Sequence, residues 1–194
     1  LSLPDLFTLR SAAKQVFEFK KAAFGKLLLT NGNIEFQIES DQSVLIEKSS
    51  FKWCNGNVNA QALRILPGVE DYELVLYCDR LNLGMLLEQL GAARAEGKGA
   101  VNGRIPLRLK NGRLIFNDGF LFSTPGDGGT IHVKEAEMLT AAIPKDTPEY
   151  TQLDLAGEAL KDFEYEWANL RLLTEGEDLK LQMQFDGRPA NPLP

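Results

Sequence analysis

Residues 97–133 read GKGAVNGRIPLRLKNGRLIFNDGFLFSTPGDGGTIHV, and their pattern decides the fold class. Val101, Gly103, Ile105, Leu107 and Leu109 alternate with Asn102, Arg104, Pro106, Arg108 and Lys110. Period 2 gives a strand with one apolar and one polar face. Asn111-Gly112 supplies a tight hairpin turn. Leu114 and Phe116 carry the next strand. Asp118-Gly119 predicts another turn, with Phe120 and Phe122 opening a third strand. The run Pro125-Gly126-Asp127-Gly128-Gly129 interrupts the pattern before Thr130-Ile131-His132-Val133 resumes it. The stretch predicts an antiparallel meander and holds no obvious catalytic cluster.

The same reading extends outward. Upstream, Gln15–Phe24 is weakly strand-like and continues through Lys26–Leu29 into Asn31-Gly32, a hairpin signal. Ile34, Phe36 and Ile38 alternate with Glu35, Gln37 and Glu39. Strands over Val44–Trp53, Asn57–Ile65 and Tyr72–Asp79 follow, with turns at Asp41-Gln42, Asn55-Gly56 and Pro67-Gly68. Leu6–Leu9 is a short candidate start, and Met138–Ile143 is ambiguous. Asn82 caps a helix carrying Leu83, Leu86, Leu87 and Leu90, which Gly91 or the Gly97 region ends. Thr147-Pro148 starts a second helix with a stripe of Leu153, Leu155, Ala159 and Leu160.

Two strands close the chain. Phe163, Tyr165 and Trp167 alternate with Glu164 and Glu166, and parity then flips to Leu170 and Leu172, which predicts a bulge near Ala168-Asn169. After a turn at Glu175-Gly176, Leu179, Leu181, Met183 and Phe185 alternate strictly with Lys180, Gln182, Gln184 and Asp186, until Gly187-Arg188-Pro189 stops them. The sum is roughly ten strands and two helices, a mostly antiparallel α+β fold.

Composition narrows the function. With 194 residues, 44% of them hydrophobic, the chain can bury a core, and one β-rich domain over residues 1–194 is the expectation. Its 21 basic residues are scattered among 27 acidic ones, unlike the clustered footprint of a nucleic-acid binder. No apolar run approaches the roughly 18 residues that span a bilayer. The opening on Leu1 is read as the mark of a fragment of a longer protein. Cys54 and Cys78 are too few for a disulfide framework, and sequence does not decide whether they pair.

Candidate chemistry is sparse. His132 is the only histidine and has no G-x-S-x-G partner motif. Cys54, Cys78 and His132 lack zinc-ligand spacing. Gly126-Asp127-Gly128-Gly129 lacks the Lys-Ser/Thr of a phosphate loop and precedes a strand, so it reads as a turn. Glu135, Glu137, Glu164 and Glu166 fit a solvated strand face, though paired carboxylates can also serve acid–base work or hold a cation. The expectation is a protein that is not an enzyme and has no metal and no cofactor. The apolar strand faces fit a closed core or an open groove equally well.

Several motifs together resemble the YdbH-like family of AsmA-like envelope proteins, also known under a "dicarboxylate transport" domain label. They are Gly103-Arg104-Ile105-Pro106-Leu107, Asn117-Asp118-Gly119 and Gly128-Gly129-Thr130-Ile131 in the central stretch. Around it stand Leu81-Asn82-Leu83, the aromatic segment Phe51–Gly56, Ala159–Tyr165 and Phe185–Pro189. The likeness runs over roughly residues 30–190, in the family's order; His132 and Lys134 depart from it, where the family often has an aromatic residue or Arg. The resemblance implies an elongated curved β-groove of the β-taco type. It also implies a periplasmic segment, the C-terminal part of a protein anchored in the inner membrane, that binds phospholipid or another acyl lipid for transport between the inner and outer membranes.

The residues expected to line such a groove are Ile34, Phe36, Ile38, Ile105, Leu107, Leu109, Leu179, Leu181, Met183 and Phe185. Gly103, Pro106, Gly119 and Gly129 are expected to be structural. The alternatives are a scaffold that pairs with an envelope partner through its sheet edges and, third, a dicarboxylate binder using Arg104 and Arg108.

Overall fold

The structure is a computed structural model and describes residues 10–39, 42–92, 95–134 and 147–191. Leu6–Leu9, Met138–Ile143, Glu135 and Glu137 lie outside these residues. The elements in chain order are β1 (Gln15–Phe24), β2 (Leu27–Ile38), β3 (Val44–Trp53), β4 (Gly56–Ala60), β5 (Leu63–Ile65), β6 (Asp71–Asn82), α1 (Leu83–Gln89), β7 (Ala95–Lys98), β8 (Ala100–Lys110), β9 (Arg113–Phe116), β10 (Gly119–Ser123), β11 (Gly129–Val133), α2 (Pro148–Lys161), β12 (Phe163–Glu175) and β13 (Asp178–Pro189). All these strands join one open, curved, antiparallel sheet. Its order is β1-β2-β3-β4-β6-β8-β10-β12-β11-β7, with β5 beside β3, β9 beside β8 and β13 beside β12.

Strand β8, the core of the opening stretch, sits at the centre with β6 on one side. The three-stranded meander read there is in fact a single hairpin. Asn111-Gly112 turns the chain as expected, both residues at positive φ. Asp118-Gly119 does not reverse it. β9 pairs with Leu107–Lys110 and β10 with Val101–Arg104, end to end along the same side of β8. Asp118, at φ 55, lies in a one-residue bulge between them.

That bulge explains a proline inside a central strand. Asn117 N donates to the Pro106 carbonyl at 2.9 Å. A strand residue points its N–H and C=O at the same neighbour, so the donor that Pro106 lacks would have faced the break, where no ladder partner waits. Gly103 makes the complementary contact. It sits at φ +148, and a Cβ there would collide with the Phe120 carbonyl oxygen of β10.

Other turns fall away from their expected places, by one residue at β3–β4 and by six at the first hairpin. The first hairpin reverses at Gly25-Lys26, with Gly25 at φ +59, and Asn31-Gly32 instead forms an irregularity inside the continuous β2. The Phe19 ring lies over Gly32, filling the space its missing side chain leaves. In the β3–β4 hairpin the two loop residues are Cys54 and Asn55, both at positive φ, and Gly56 already belongs to β4. The bulge of β12 falls between Tyr165 and Trp167, slightly before the expected place. β13 runs on through Gly187 and Arg188 to Pro189.

Both helix starts match their capping residues. Asn82 Oδ1 accepts from Met85 N at 2.9 Å, and Thr147 Oγ1 accepts from Tyr150 N at 3.2 Å with Pro148 in the first turn. α1 closes with Gly91 N on Glu88 O and Ala92 N on Leu87 O, a paired C-terminal cap around Gly91 at φ +84. Its Leu83, Leu86 and Leu87 are fully buried. α2 is less amphipathic than expected. It turns Gly157 inward, while Leu155 stays 49% exposed, so the proposed leucine stripe does not form as a unit.

Candidate functional site

Directly opposed residues in antiparallel strands share a face of the sheet, so register alone assembles the site. One row crosses the sheet from Phe17 through Ile34, Ser49, Ala60, Leu76 and Ile105. Gly119 lies against the Ile105 side chain and continues the row to Leu172 and Leu181. A parallel row joins Leu74, Leu107 and Phe116, and another joins Leu121, Leu170 and Met183. Leu109 and Leu179 belong to the same alternation. One face of the curved sheet is therefore apolar from edge to edge.

This face is used in two ways. On the β10–β12 side it is solid: Leu81, Val101, Leu121, Leu170 and Leu172 pack with the three α1 leucines in a fully buried core. On the β1–β9 side it opens into a cavity of about 420 Å³. Its floor is Ser49, Leu76, Leu107 and Phe116, and Trp53 bounds it beside α1; its flanks are the β1–β2 hairpin, through Phe19, Phe24, Leu27 and Leu29, and the β8–β9 hairpin, through Leu109 and Leu114. Among the lining residues the Ser49 hydroxyl and the Trp53 indole N–H are the only polar side-chain groups. The indole is already bonded to Gln89 Oε1 at 3.0 Å. The cavity wall carries no charge.

Of the ten residues expected at a groove, Ile34, Leu107 and Leu109 line this cavity. Ile105 is on the same face but wholly buried, and Phe36 and Ile38 lie further along β2. Leu179, Leu181, Met183 and Phe185 are half-buried and pack against the core on the far side. Sequence reasoning passed over Phe19, Phe24, Leu27, Leu29, Phe51, Trp53, Leu74, Leu76, Leu114 and Phe116. Leu27/Leu29 and Phe51/Trp53 carry the same period-2 signal around Leu28 and Lys52.

The other candidate groups are engaged elsewhere. His132 Nδ1 lies 3.1 Å from Asp162 Oδ1 at the surface. Glu164 pairs with Arg188 at 3.4 Å, and Glu166 is exposed. The glycine run is a turn, with Asp127 N on Thr124 O at 2.9 Å. Gly99 and Gly129 make room for the Tyr165 hydroxyl, which donates to Lys98 O at 2.9 Å; burial raises that phenol's pKa.

Arg104 and Arg108 alternate with the cavity residues on β8 and so point to the opposite face. Arg108 is committed to Asp71 by two bonds of 2.7 and 2.5 Å, a pairing that holds the Asp71 carboxyl below its usual range. Cys54 and Cys78 are buried free thiols. Burial, then the Glu88 charge, pushes Cys54 up to about 12, and burial, then the neighbouring Cys54, pushes Cys78 up to about 12. Among the described residues no group of three or more His, Cys, Asp and Glu comes together as a metal site, and no helix is long and apolar enough to cross a membrane.

No curated protein and no solved structure matches the chain. The model of one family, described as "YdbH-like: Intermembrane phospholipid transport protein YdbH", matches residues 1–189. With the match running over essentially its whole length, the chain belongs to the YdbH-like family.

Proposed function

We propose that the apolar cavity holds acyl chains of phospholipid in passage between the inner and outer membranes. In this reading the chain acts without catalysis, as a periplasmic segment of an envelope protein anchored in the inner membrane. The observation that carries the proposal is the open, uncharged cavity of about 420 Å³ on one continuous apolar face. Each methylene moved from water into such a lining contributes about 0.8 kcal/mol. A bare hydrocarbon tail can therefore bind with no polar contact, and the lining asks nothing of the headgroup.

Size agrees. From β1 to β8 the lining crosses five interstrand steps, roughly 24 Å at about 4.8 Å each. One leaflet's share of a hydrocarbon core about 30 Å thick is roughly 15 Å. A tail has room to lie along the floor.

Native mass spectrometry of the gently purified chain, followed by lipid extraction, tests the reading. Phospholipid should accompany the wild type and be lost from Leu107→Glu, which sets a carboxylate in the floor. A wild type that emerges lipid-free and excludes fluorescent fatty acids would overturn it. A second reading, a scaffold that adds a partner's strand, draws on β13, which among the described residues pairs with β12 alone. Capture of a partner by a lipid-free chain, abolished by proline substitutions on the free side of β13, would favour it.

A further inference from the structure

We propose that Trp53 sets the length of acyl chain that the groove accepts. The inference rests on the acyl-chain reading above and adds a specificity-determining residue to it. The apolar face does not end where the cavity ends. From the cavity residue Phe51 it continues through Val58, Cys78, Gly103 and Leu121, joined strand to strand. Trp53 is where the open cavity meets α1: its indole lines the cavity and bonds to Gln89 of that helix, whose Leu83, Leu86 and Leu87 are buried in the core. Trp53 is the partition between the two.

The partition is anchored. Trp53 is 3% exposed, and its indole N–H donates to Gln89 Oε1 at 3.0 Å. The same oxygen accepts Leu28 N at 2.9 Å. Leu27 and Leu29, on either side of Leu28, are cavity residues. One amide oxygen on α1 thus holds both the wall and the hairpin beside it, and the caps at Asn82 and Gly91 hold α1. Among the described residues the opposite boundary has no such wall: Leu109 and Leu114 lead out to the Asn111-Gly112 turn.

A tail entering from the open side gains affinity by about fourfold per methylene until its methyl end meets the indole. Past that length the gain stops, because another methylene must either displace packed leucines or remain in water. Trp53 thereby acts as a stop rather than as a site of attraction.

The test is binding of saturated fatty acids, from decanoic to eicosanoic, to the full chain by displacement of a fluorescent fatty acid. For the wild type, affinity should climb by about fourfold per methylene and then flatten at a definite length. Trp53→Leu should move the break to longer chains by about two methylenes, raising affinity for the longest acids about fifteenfold. Trp53→Phe, a milder change that guards against misfolding of the first, should move it less in the same direction. Leu114→Ala, at the open end, should weaken all lengths without moving the break. An unmoved break in a folded Trp53→Leu or Trp53→Phe variant overturns the stop while leaving the groove reading intact. A shift equal to theirs in Leu114→Ala would do the same. A wild type that binds none of the acids overturns both.

Discussion

Replacing Gly103 by alanine should be the most damaging one-carbon change in the sheet. At φ +148 an L-residue is strained, at about 1–3 kcal/mol for a sparsely populated backbone conformation. The added Cβ would also run into the Phe120 carbonyl oxygen and stand 3.0 Å from the Leu121 Cα. Neither atom belongs to a flexible side chain. Relief requires β10 to move away from β8, yet β10 is held on its other side by β12. One or two ladder hydrogen bonds would stretch, at about 1 kcal/mol each. The expected loss is about 2–5 kcal/mol from a total stability of about 5–15 kcal/mol for a domain.

Gly112→Ala is the internal control, with φ +74 but nothing within 4 Å of its Cβ, so strain of about 1–2 kcal/mol is its whole cost. Urea unfolding followed by circular dichroism separates the two. With a slope of about 2 kcal/mol per molar, the midpoint should fall by about 1–2.5 M for Gly103→Ala and by about 0.5–1 M for Gly112→Ala. Equal shifts would refute the argument that the Phe120 carbonyl, and not φ alone, demands glycine at 103.

Tyr165→Phe removes the donor to Lys98 O from a socket shaped for the hydroxyl, and should lower stability by about 1–2 kcal/mol in the same assay. Asp71 has its folded carboxyl pKa depressed, first by the hydrogen bond from Arg108. It therefore contributes stability that is present above the unfolded carboxyl range and is lost as pH falls through the folded value. Asp71→Asn should be less stable than the wild type near neutral pH and indistinguishable from it in strong acid; a pH-independent difference would contradict the pairing. Cys54 and Cys78, buried and pushed up to about 12, should resist a thiol reagent at pH 8 in the native protein and react fully in denaturant. Prompt labelling of the native chain would show that the β3–β4 hairpin opens readily.

The class of fold was legible because period 2 is a strong signal, repeated from Gln15 to Phe185. Turn chemistry was less reliable, and the failures share a cause. Asn31-Gly32 and Asp118-Gly119 carry the residue types of a hairpin, yet each forms an irregularity, because positive φ suits a bulge as well as a reversal. What decides between them is whether the flanking strands find other partners, and that is a property of the whole sheet. The faces were also legible: all ten expected groove residues share the apolar alternation. Which part of that face stays open was not. α1 packs against β6 and β7 and leaves the groove open beside Leu107, and the helix's own leucines look alike in either placement.

Pro106 has a consequence for how the strands find one another. A slip of β8 by one residue against β9–β10 would turn its apolar side chains to the wrong face, so burial forbids it. A slip by two keeps every leucine and isoleucine inward, and patterning is blind to it. The proline is not. Two residues along, its missing donor would confront an intact ladder and leave a carbonyl unpaired, at about 1–3 kcal/mol. In the same misalignment Val101 or Ile105 would bring a branched side chain to the spot beside the Phe120 carbonyl that admits only Gly103. Proline and glycine, two residues that weaken strands in general, together make β8 a toothed key that seats in one position.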